Sequence, residues 1–235
     1  MSIFSCRGDE AKRKLLKEYF IKPVSYIKLL PNQKKAGCCG DITDRYYAFE
    51  CEHRKTKQKI GFFAGYSCGE KLIQMIGMDK HELHLFDPLK HNLQSTKKKA
   101  VKTGKSGQRN TDDKQVKTDM LNQEVYDAIH LIVTAWSGSP YGDYANIISF
   151  IRRKPDHRVS DKVVEKVNFL VSKDSKHRTL KLIVNDLRKQ YPNIKEYSFD
   201  ELNKVSRDLY QNGKIDKNYI YGENSVKYIQ KKEFC

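Results

Sequence analysis

The chain has 235 residues, of which 45 are Lys or Arg and 29 are Asp or Glu, so the formal net charge is +16. No run of about 18 apolar residues occurs, and residues 1–9 contain no apolar stretch of signal-peptide length. We therefore expect a cytoplasmic protein with no membrane partner. A positive potential of this size attracts polyanions, so the charge predicts a nucleic acid, in the first place DNA, as the partner.

Composition divides the chain into three parts. Residues 1–94 hold five of the six cysteines and predict a cysteine-rich α+β domain. Residues 95–118 carry eight Lys or Arg against two Asp or Glu and lack an apolar period, which predicts a flexible basic linker. Its candidate phosphate contacts are Lys97, Lys98 and Lys99, although a solvated spacer explains the same composition. Residues 119–235 have helical periodicity and predict a mostly helical domain that ends in a hairpin.

The N-terminal part has a turn, a hairpin and a helix, each with a cysteine. A first helix is predicted with one apolar face, formed by Leu15, Leu16, Tyr19 and Phe20. Cys38 and Cys39 follow in a turn that Gly40 allows to be tight. The next strand alternates four side chains onto one face: Tyr47, Phe49, Cys51 and His53. After a returning strand over residues 60–65, Cys68 begins a helix whose dipole favours a thiolate.

This layout resembles treble-clef-like zinc fingers, including the zinc modules of small bacterial and phage proteins, over about residues 35–78. The resemblance implies a structural Zn²⁺ with four nitrogen or sulfur ligands, and five donors are near: Cys38, Cys39, Cys51, His53 and Cys68. Adjacent cysteines rarely bind one ion together, so the preferred set is Cys39, Cys51, His53 and Cys68, with Cys38 as the alternative. Because Ala36 replaces the first cysteine of a Cys-x-x-Cys knuckle, buried thiols in a small β-sheet are the competing interpretation.

Apolar stripes at helical spacing predict the C-terminal helices. The first has Leu121, Val125, Ile129, Ile132 and Trp136. The second has Tyr144, Ile147, Ile148 and Ile151, and the third, which Ser160 caps, has Val164, Val167 and Val171. Thr179 caps a fourth helix that ends before Pro192. Ser198 and Glu201 predict a capping box at the start of a fifth helix, and Gly213 predicts its left-handed C-terminal cap.

Two helices followed by a predicted hairpin resemble winged-helix DNA-binding domains over about residues 176–231. The resemblance implies that the second helix is the recognition helix, with a solvent face formed by Asn203, Lys204, Ser206, Arg207 and Gln211. The wing would add Lys217, Asn218 and Lys227 as nucleic-acid contacts. Since winged helices also bind proteins, and this helix carries Asp200, Glu201 and Asp208, a protein-interaction role is the alternative.

The sequence contains no set of catalytic residues within a recognisable motif, so no catalytic site is predicted. The function that we expect is that of a nucleic-acid-binding accessory or regulatory protein with a structural zinc site. The alternatives are a protein-interaction adaptor of a phage or bacterial defence system and a nuclease without a recognisable motif. Sequence alone leaves the choice between these alternatives open.

Overall fold

The computed structural model describes residues 6–79, 83–90, 118–138, 140 and 142–222. The fold is mixed α+β, as predicted, with an N-terminal sheet and a helical C-terminal region. Its elements in chain order are α1 (Gly8–Glu18), β1 (Tyr19–Lys28), β2 (Lys35–Gly37), β3 (Gly40–Ile42), β4 (Arg45–His53), β5 (Lys59–Gly65), α2 (Tyr66–Met75), β6 (Leu85–Phe86), α3 (Met120–Ala135), α4 (Asp143–Arg153), α5 (Asp161–Ser172), α6 (Leu180–Gln190) and α7 (Asp200–Gln211).

Four strands form one sheet in the order β5-β4-β1-β6. β4 pairs antiparallel with both β1 and β5, whereas the short β6 pairs parallel with β1. The prediction that the first helix extends over Tyr19 and Phe20 is wrong, because both residues begin β1 and pair with the end of β4. Pro23 follows within β1, where it lacks the N–H that a helix requires, and the register shifts there in a β-bulge.

The two faces of the sheet pack against different helices, because side chains alternate along a strand. Tyr47, Phe49 and Cys51 lie on one face of β4 in a cluster with residues of α1 and α2, and this confirms the predicted alternation. Tyr46 and Ala48 lie on the other face, in a second cluster that continues into the helical region. The predicted border at residues 95–118 lies almost wholly outside the described residues, and it stays a prediction.

Helix α3 is the centre of the helical region. Thirteen of its 16 residues are buried, including Asn122, Glu124, Asp127, His130 and Thr134. Its first turn is capped by the Asp119 carboxylate, which accepts the Leu121 N–H at 2.9 Å. The predicted apolar stripes of the other C-terminal helices are likewise largely buried against this helix and one another. Burial all round makes α3 the packing core rather than a surface element.

Lys35, in β2 of the separate two-stranded β2–β3 sheet, joins this hairpin to the end of α3. Its ammonium donates to the carbonyl oxygens of Ser137 at 2.6 Å and Gly138 at 2.9 Å, just beyond the C-terminus of that helix. The same ammonium lies 3.9 Å from the ring centroid of Phe63. Burial lowers the pKa of Lys35 to about 8. A cation at this position complements the negative end of the α3 dipole.

The described residues show helices α6 and α7, and no strand follows α7 up to Gly222, so a winged-helix end is not shown. The second strand of the predicted hairpin, at residues 226–229, lies outside the described residues. The predicted capping box is also wrong: the Ser198 hydroxyl donates to Asp200 at 2.6 Å, and the N-cap of α7 is Phe199. The cap at Thr179 is confirmed, and Gly213 has the expected positive φ of 67°. Within the described part of the chain, no helix is long and apolar enough to cross a membrane.

Candidate functional site

Four cysteine sulfurs meet at one edge of the N-terminal sheet. The Sγ atoms of Cys6, Cys38, Cys39 and Cys68 all lie within 4.8 Å of one another. Cys6 precedes α1, Cys38 and Cys39 form the tip of the β2–β3 hairpin, and Cys68 lies in the first turn of α2. Three separate segments therefore contribute one compact group of sulfur donors.

The spacing of these sulfurs suits a tetrahedral metal site. The Sγ of Cys39 lies 3.5 Å from that of Cys6, 3.7 Å from that of Cys38 and 3.2 Å from that of Cys68. Four thiolates around Zn²⁺ at about 2.3 Å require sulfur–sulfur separations of about 3.8 Å. Cys6 and Cys38 are closer, at disulfide-bonding distance. The group can thus hold a metal ion with four thiolates, or contain one disulfide beside two thiols.

The backbone around the cysteines holds them in this arrangement. The N–H of Cys38 donates to the Phe63 carbonyl of β5 at 2.8 Å, which fixes the hairpin tip on the sheet. Gly40 completes the tip with a φ of 126°, a conformation that side chains disfavour. The Cys68 thiol contacts the carbonyl oxygen of Cys6 at 3.3 Å. The hairpin and the two helices are therefore joined through this group.

Charge at the cluster depends on what neutralises the thiolates. Burial raises the pKa of the Cys68 thiol to about 11, with a further contribution from the hydrogen bond with Cys39. The nearby ammonium of Lys12 lowers this pKa in part, through its charge and a hydrogen bond to Cys68. Lys12 is buried, and its Nζ also donates to the Gly8 carbonyl at 3.1 Å. A bound cation would stabilise the thiolates that burial disfavours.

The structure brings together only part of the predicted ligand set. Cys39 and Cys68 belong to the cluster, as does the alternative, Cys38. Cys51 is buried in the sheet between Ile21 and Ile60, and burial raises the pKa of its thiol to about 12. It does not belong to the cluster, which lies beside the opposite end of β4. Cys6 was absent from the ligand set predicted from sequence, because it lies 32 residues before Cys38 and forms no recognisable metal-binding motif with it.

His53 also lies away from the cysteines, at the last position of β4. Its Nδ1 accepts the Thr56 N–H at 3.1 Å, and its ring packs edge-on against Tyr19 with 5.0 Å between centroids. The cluster lies near the other end of β4, where Tyr46 pairs with Gly65 just before the helix that carries Cys68. His53 is seven positions further along the strand than Tyr46, a distance of about 23 Å. His53 therefore stabilises the turn between β4 and β5 rather than meeting the sulfurs.

Two predicted nucleic-acid contacts on α7 face inwards. Asn203 and Ser206 are buried, and both bind the side chain of Asn218: its amide donates to Asn203 at 2.9 Å and its oxygen accepts from Ser206 at 3.0 Å. These contacts hold the chain after α7 against that helix. None of the three residues is available to DNA, which corrects the expected solvent face of α7 and the expected wing contact at Asn218. The remaining described candidates are exposed or half-buried: Lys204, Arg207, Gln211 and Lys217. Lys227 and Lys97–Lys99 lie outside the described residues.

An exposed aromatic ring and basic side chains lie together at the β4–β5 turn. Phe20 is 51% exposed, and the Arg54 guanidinium lies 3.9 Å from its ring centroid. Arg54 is held in place because its Nη2 and Nε donate to the Leu16 carbonyl at the end of α1, at 3.1 and 3.3 Å. Lys55 and Lys57 are exposed in the same turn. We refer to Phe20, Arg54, Lys55 and Lys57 as the Phe20 surface.

The chain matches the model of a protein family. The model of a family described as "Uncharacterised conserved protein UCP028583" matches residues 4–211, which include the four clustered cysteines, the Phe20 surface and all of α7. No curated protein and no solved structure matches the chain.

Proposed function

The chain belongs to this family, and we propose that it is a nucleic-acid-binding protein whose N-terminal sheet is stabilised by a structural zinc ion. The observation that carries the proposed binding activity is the exposed ring of Phe20 beneath the Arg54 guanidinium. The proposed ligands of the zinc ion are Cys6, Cys38, Cys39 and Cys68.

Support for zinc comes from the number and type of donors. Four sulfurs from three segments converge, whereas a disulfide requires only two, so the positions of Cys39 and Cys68 are explained by a shared ion. An all-thiolate tetrahedral set is typical of structural zinc sites and leaves no coordination position for a substrate. Zinc with four thiolates carries a net charge of about −2, which the buried ammonium of Lys12 would offset in part.

Support for nucleic-acid binding comes from the chemistry of the Phe20 surface. Aromatic rings stack on unpaired bases, and cationic side chains beside them contact the phosphates. Glu52 offsets some of this positive charge, since it lies 3.6 Å from the Lys57 ammonium. Arg54 and Lys55 have no carboxylate at ion-pair distance among the residues that the structure describes, so their charge is available to phosphates. The surface therefore favours single-stranded over duplex nucleic acid.

The test is equilibrium binding of the purified protein to labelled single-stranded DNA, duplex DNA and RNA over a series of salt concentrations. We expect affinity to fall steeply with salt, because phosphate contacts release counterions, and to be higher for single strands. Lys55→Ala combined with Lys57→Ala should reduce the salt slope by about one to two. Phe20→Ala should weaken single-strand binding by about tenfold and affect duplex binding less, since stacking of one base contributes about 1–3 kcal/mol.

Two matched double variants locate the surface. Lys154→Ala with Lys162→Ala removes two exposed charges elsewhere in the helical region and should leave affinity almost unchanged. Lys204→Ala with Arg207→Ala tests the recognition helix expected from sequence. A loss of affinity confined to this last pair would overturn the role of the Phe20 surface, and weak binding to all three nucleic acids at about 150 mM salt would overturn the function itself.

A further inference from the structure

A cleft of about 350 Å³ lies where the helical region meets the loop after β1. Its volume falls within the range of about 300–1,000 Å³ that is typical of small-molecule sites. Gln33 lines it from the loop, Trp136 from the end of α3, Lys173 and Lys176 from the segment between α5 and α6, and Leu187 and Gln190 from α6. The cleft is distinct from both the cysteine cluster and the Phe20 surface.

One wall of the cleft is fixed by a charged network. The indole Nε1 of Trp136 donates to Asp174 at 2.7 Å. Arg178 donates to both carboxylate oxygens of Asp174, from Nη2 at 2.8 Å and from Nε at 3.0 Å, and also to Asp186 at 3.0 Å. The pKa of Asp174 is held far below its usual range, chiefly by the hydrogen bonds from Arg178. The tryptophan ring is therefore held in one orientation before any ligand arrives.

The backbone around the cleft adopts an uncommon conformation at three places. Four non-glycine residues in the described part of the chain have a positive φ, and three of them adjoin residues that line the cleft. These are Asn32 at 64°, Ser137 at 51° and His177 at 53°. Such conformations are disfavoured for residues with a side chain and concentrate at ligand sites, where the surrounding structure imposes them.

The chemistry of the lining is divided between charge, amide groups and apolar surface. Lys173 and Lys176 have no ion pair with a carboxylate among the residues described by the structure, although the Lys173 ammonium lies 4.2 Å from the ring centroid of Phe169. Asp186, which also lines the cleft, is paired with Arg178 at 3.0 Å, so the charge of the two lysines is not offset by this carboxylate. Gln33 and Gln190 supply amides that suit the polar edge of a ring, while Trp136 and Leu187 supply apolar surface. A ligand that matches all three has a phosphate group attached to a polar, planar ring system.

We propose that this cleft binds a nucleoside monophosphate, with the phosphate at Lys173 and Lys176 and the base against Trp136. The ligand can be a free nucleotide or the phosphorylated end of a nucleic-acid strand, because both present the same chemistry. The inference does not depend on the Phe20 surface, since no residue is shared between them.

Trp136 provides the readout, because it is the single tryptophan of the chain. Its fluorescence should change in a saturable manner on titration with AMP, and much less with inorganic phosphate or adenosine at the same concentrations. A short oligonucleotide with a 5′-phosphate, compared with the same strand without it, separates the terminal from the free nucleotide. Tighter binding of the phosphorylated strand than of both AMP and the unphosphorylated strand identifies the strand end as the ligand. Tighter binding of AMP than of the phosphorylated strand identifies the free nucleotide.

Lys173→Ala combined with Lys176→Ala should weaken binding by about tenfold or more, because two charge-assisted hydrogen bonds to phosphate are removed. Lys154→Ala with Lys162→Ala is the charge-matched control and should bind as the unaltered protein does. Thermal unfolding of both variants checks that the fold is retained. The proposal is overturned if neither AMP nor the phosphorylated strand changes the fluorescence, if phosphate alone binds equally well, or if both double variants lose affinity equally.

Discussion

The carboxylate of Glu124, in the buried helix α3, accepts the backbone N–H of Leu202 at 2.7 Å and so caps α7 from another element. Burial raises the pKa of Glu124, and the N–H groups of Leu202 and Glu201 lower it in part. The carboxylate lies at the positive end of the α7 dipole, which favours its ionised form. One buried acidic side chain thus joins the central helix to the helix that sequence analysis assigned to DNA recognition.

Glu124→Ala should therefore destabilise the protein by about 1–3 kcal/mol, because the N–H groups at the start of α7 lose a buried acceptor. Glu124→Gln keeps an acceptor oxygen without the charge, so its free energy of unfolding should lie between those of Glu124→Ala and the unaltered protein. Urea unfolding at neutral pH measures both. The control is Glu196→Ala, whose side chain is 84% exposed and which should change stability by less than about 0.5 kcal/mol. Equal effects at positions 124 and 196 would show that the cap has no energetic role.

The zinc ligands are distinguished by two cysteine substitutions with opposite expected outcomes. The unaltered protein should contain about one zinc ion per chain, and Cys6→Ser should lose most of it because one of four thiolates is removed. Cys51→Ser should retain its zinc, since Cys51 lies within the sheet and away from the cluster. Elemental analysis of protein purified under reducing conditions measures the content. Full zinc in Cys6→Ser, or its loss in Cys51→Ser, would contradict the proposed site.

Removal of the metal separates the two chemical states open to the cysteine cluster. If zinc joins the β2–β3 hairpin to α1 and α2, a chelator should lower the melting temperature, and a reductant alone should not. If a Cys6–Cys38 disulfide stabilises this region instead, the reductant should lower it and the chelator should have no effect. Differential scanning calorimetry with each reagent, and with zinc added back after chelation, measures the melting temperature and distinguishes the zinc-bound cluster from the disulfide.

Gly69 permits the close approach of α2 to the sheet. A Cβ atom at this position would overlap the ring of Tyr47 on β4, which is itself buried. Glycine-to-alanine changes within helices ordinarily stabilise a protein by about 1 kcal/mol. The sign of the change in stability therefore distinguishes overpacking against Tyr47 from this ordinary gain. We expect Gly69→Ala to destabilise by about 1–3 kcal/mol through overpacking. Gln74→Ala, at an exposed site on the same helix, should be neutral or slightly stabilising in the same unfolding assay.

Asp127 should make stability depend on pH in an unusual direction. Burial raises its pKa from the ordinary 3.8 to about 7, against a hydrogen bond from Gln123. The folded state therefore retains a proton that the unfolded chain releases, and this contribution is fully present below about pH 4 and lost as the pH rises through about 7. The loss should be on the order of a few kcal/mol.

The variant Asp127→Asn mimics the protonated side chain and tests this origin. Its free energy of unfolding, measured by urea denaturation, should change less between pH 5 and pH 8 than that of the unaltered protein, because most of the loss due to Asp127 falls within this range. The same pH slope in both proteins would assign the dependence to other groups.

The sequence by itself determined the local elements, because these depend on side-chain period and on residues that are close in the chain. The apolar stripes of α3 to α7, the alternation of Tyr47, Phe49 and Cys51, and the turn at Gly213 follow from such patterns. Two local predictions were wrong, the capping box at Ser198 and the extent of the first helix. Helix α1 ends before Tyr19, since pairing of β1 with β4 outweighs the helical spacing of the apolar residues.

Only the tertiary structure decided which distant groups meet. Cys6 joins the cysteine cluster from a segment with no spacing signature, while Cys51 and His53 are directed elsewhere by the register of β4. Ser198 was expected to cap α7, but the acceptor comes from Glu124, 78 residues away in sequence from Leu202. These contacts depend on how the sheet and helices pack, and packing brings together residues whose proximity no local pattern records.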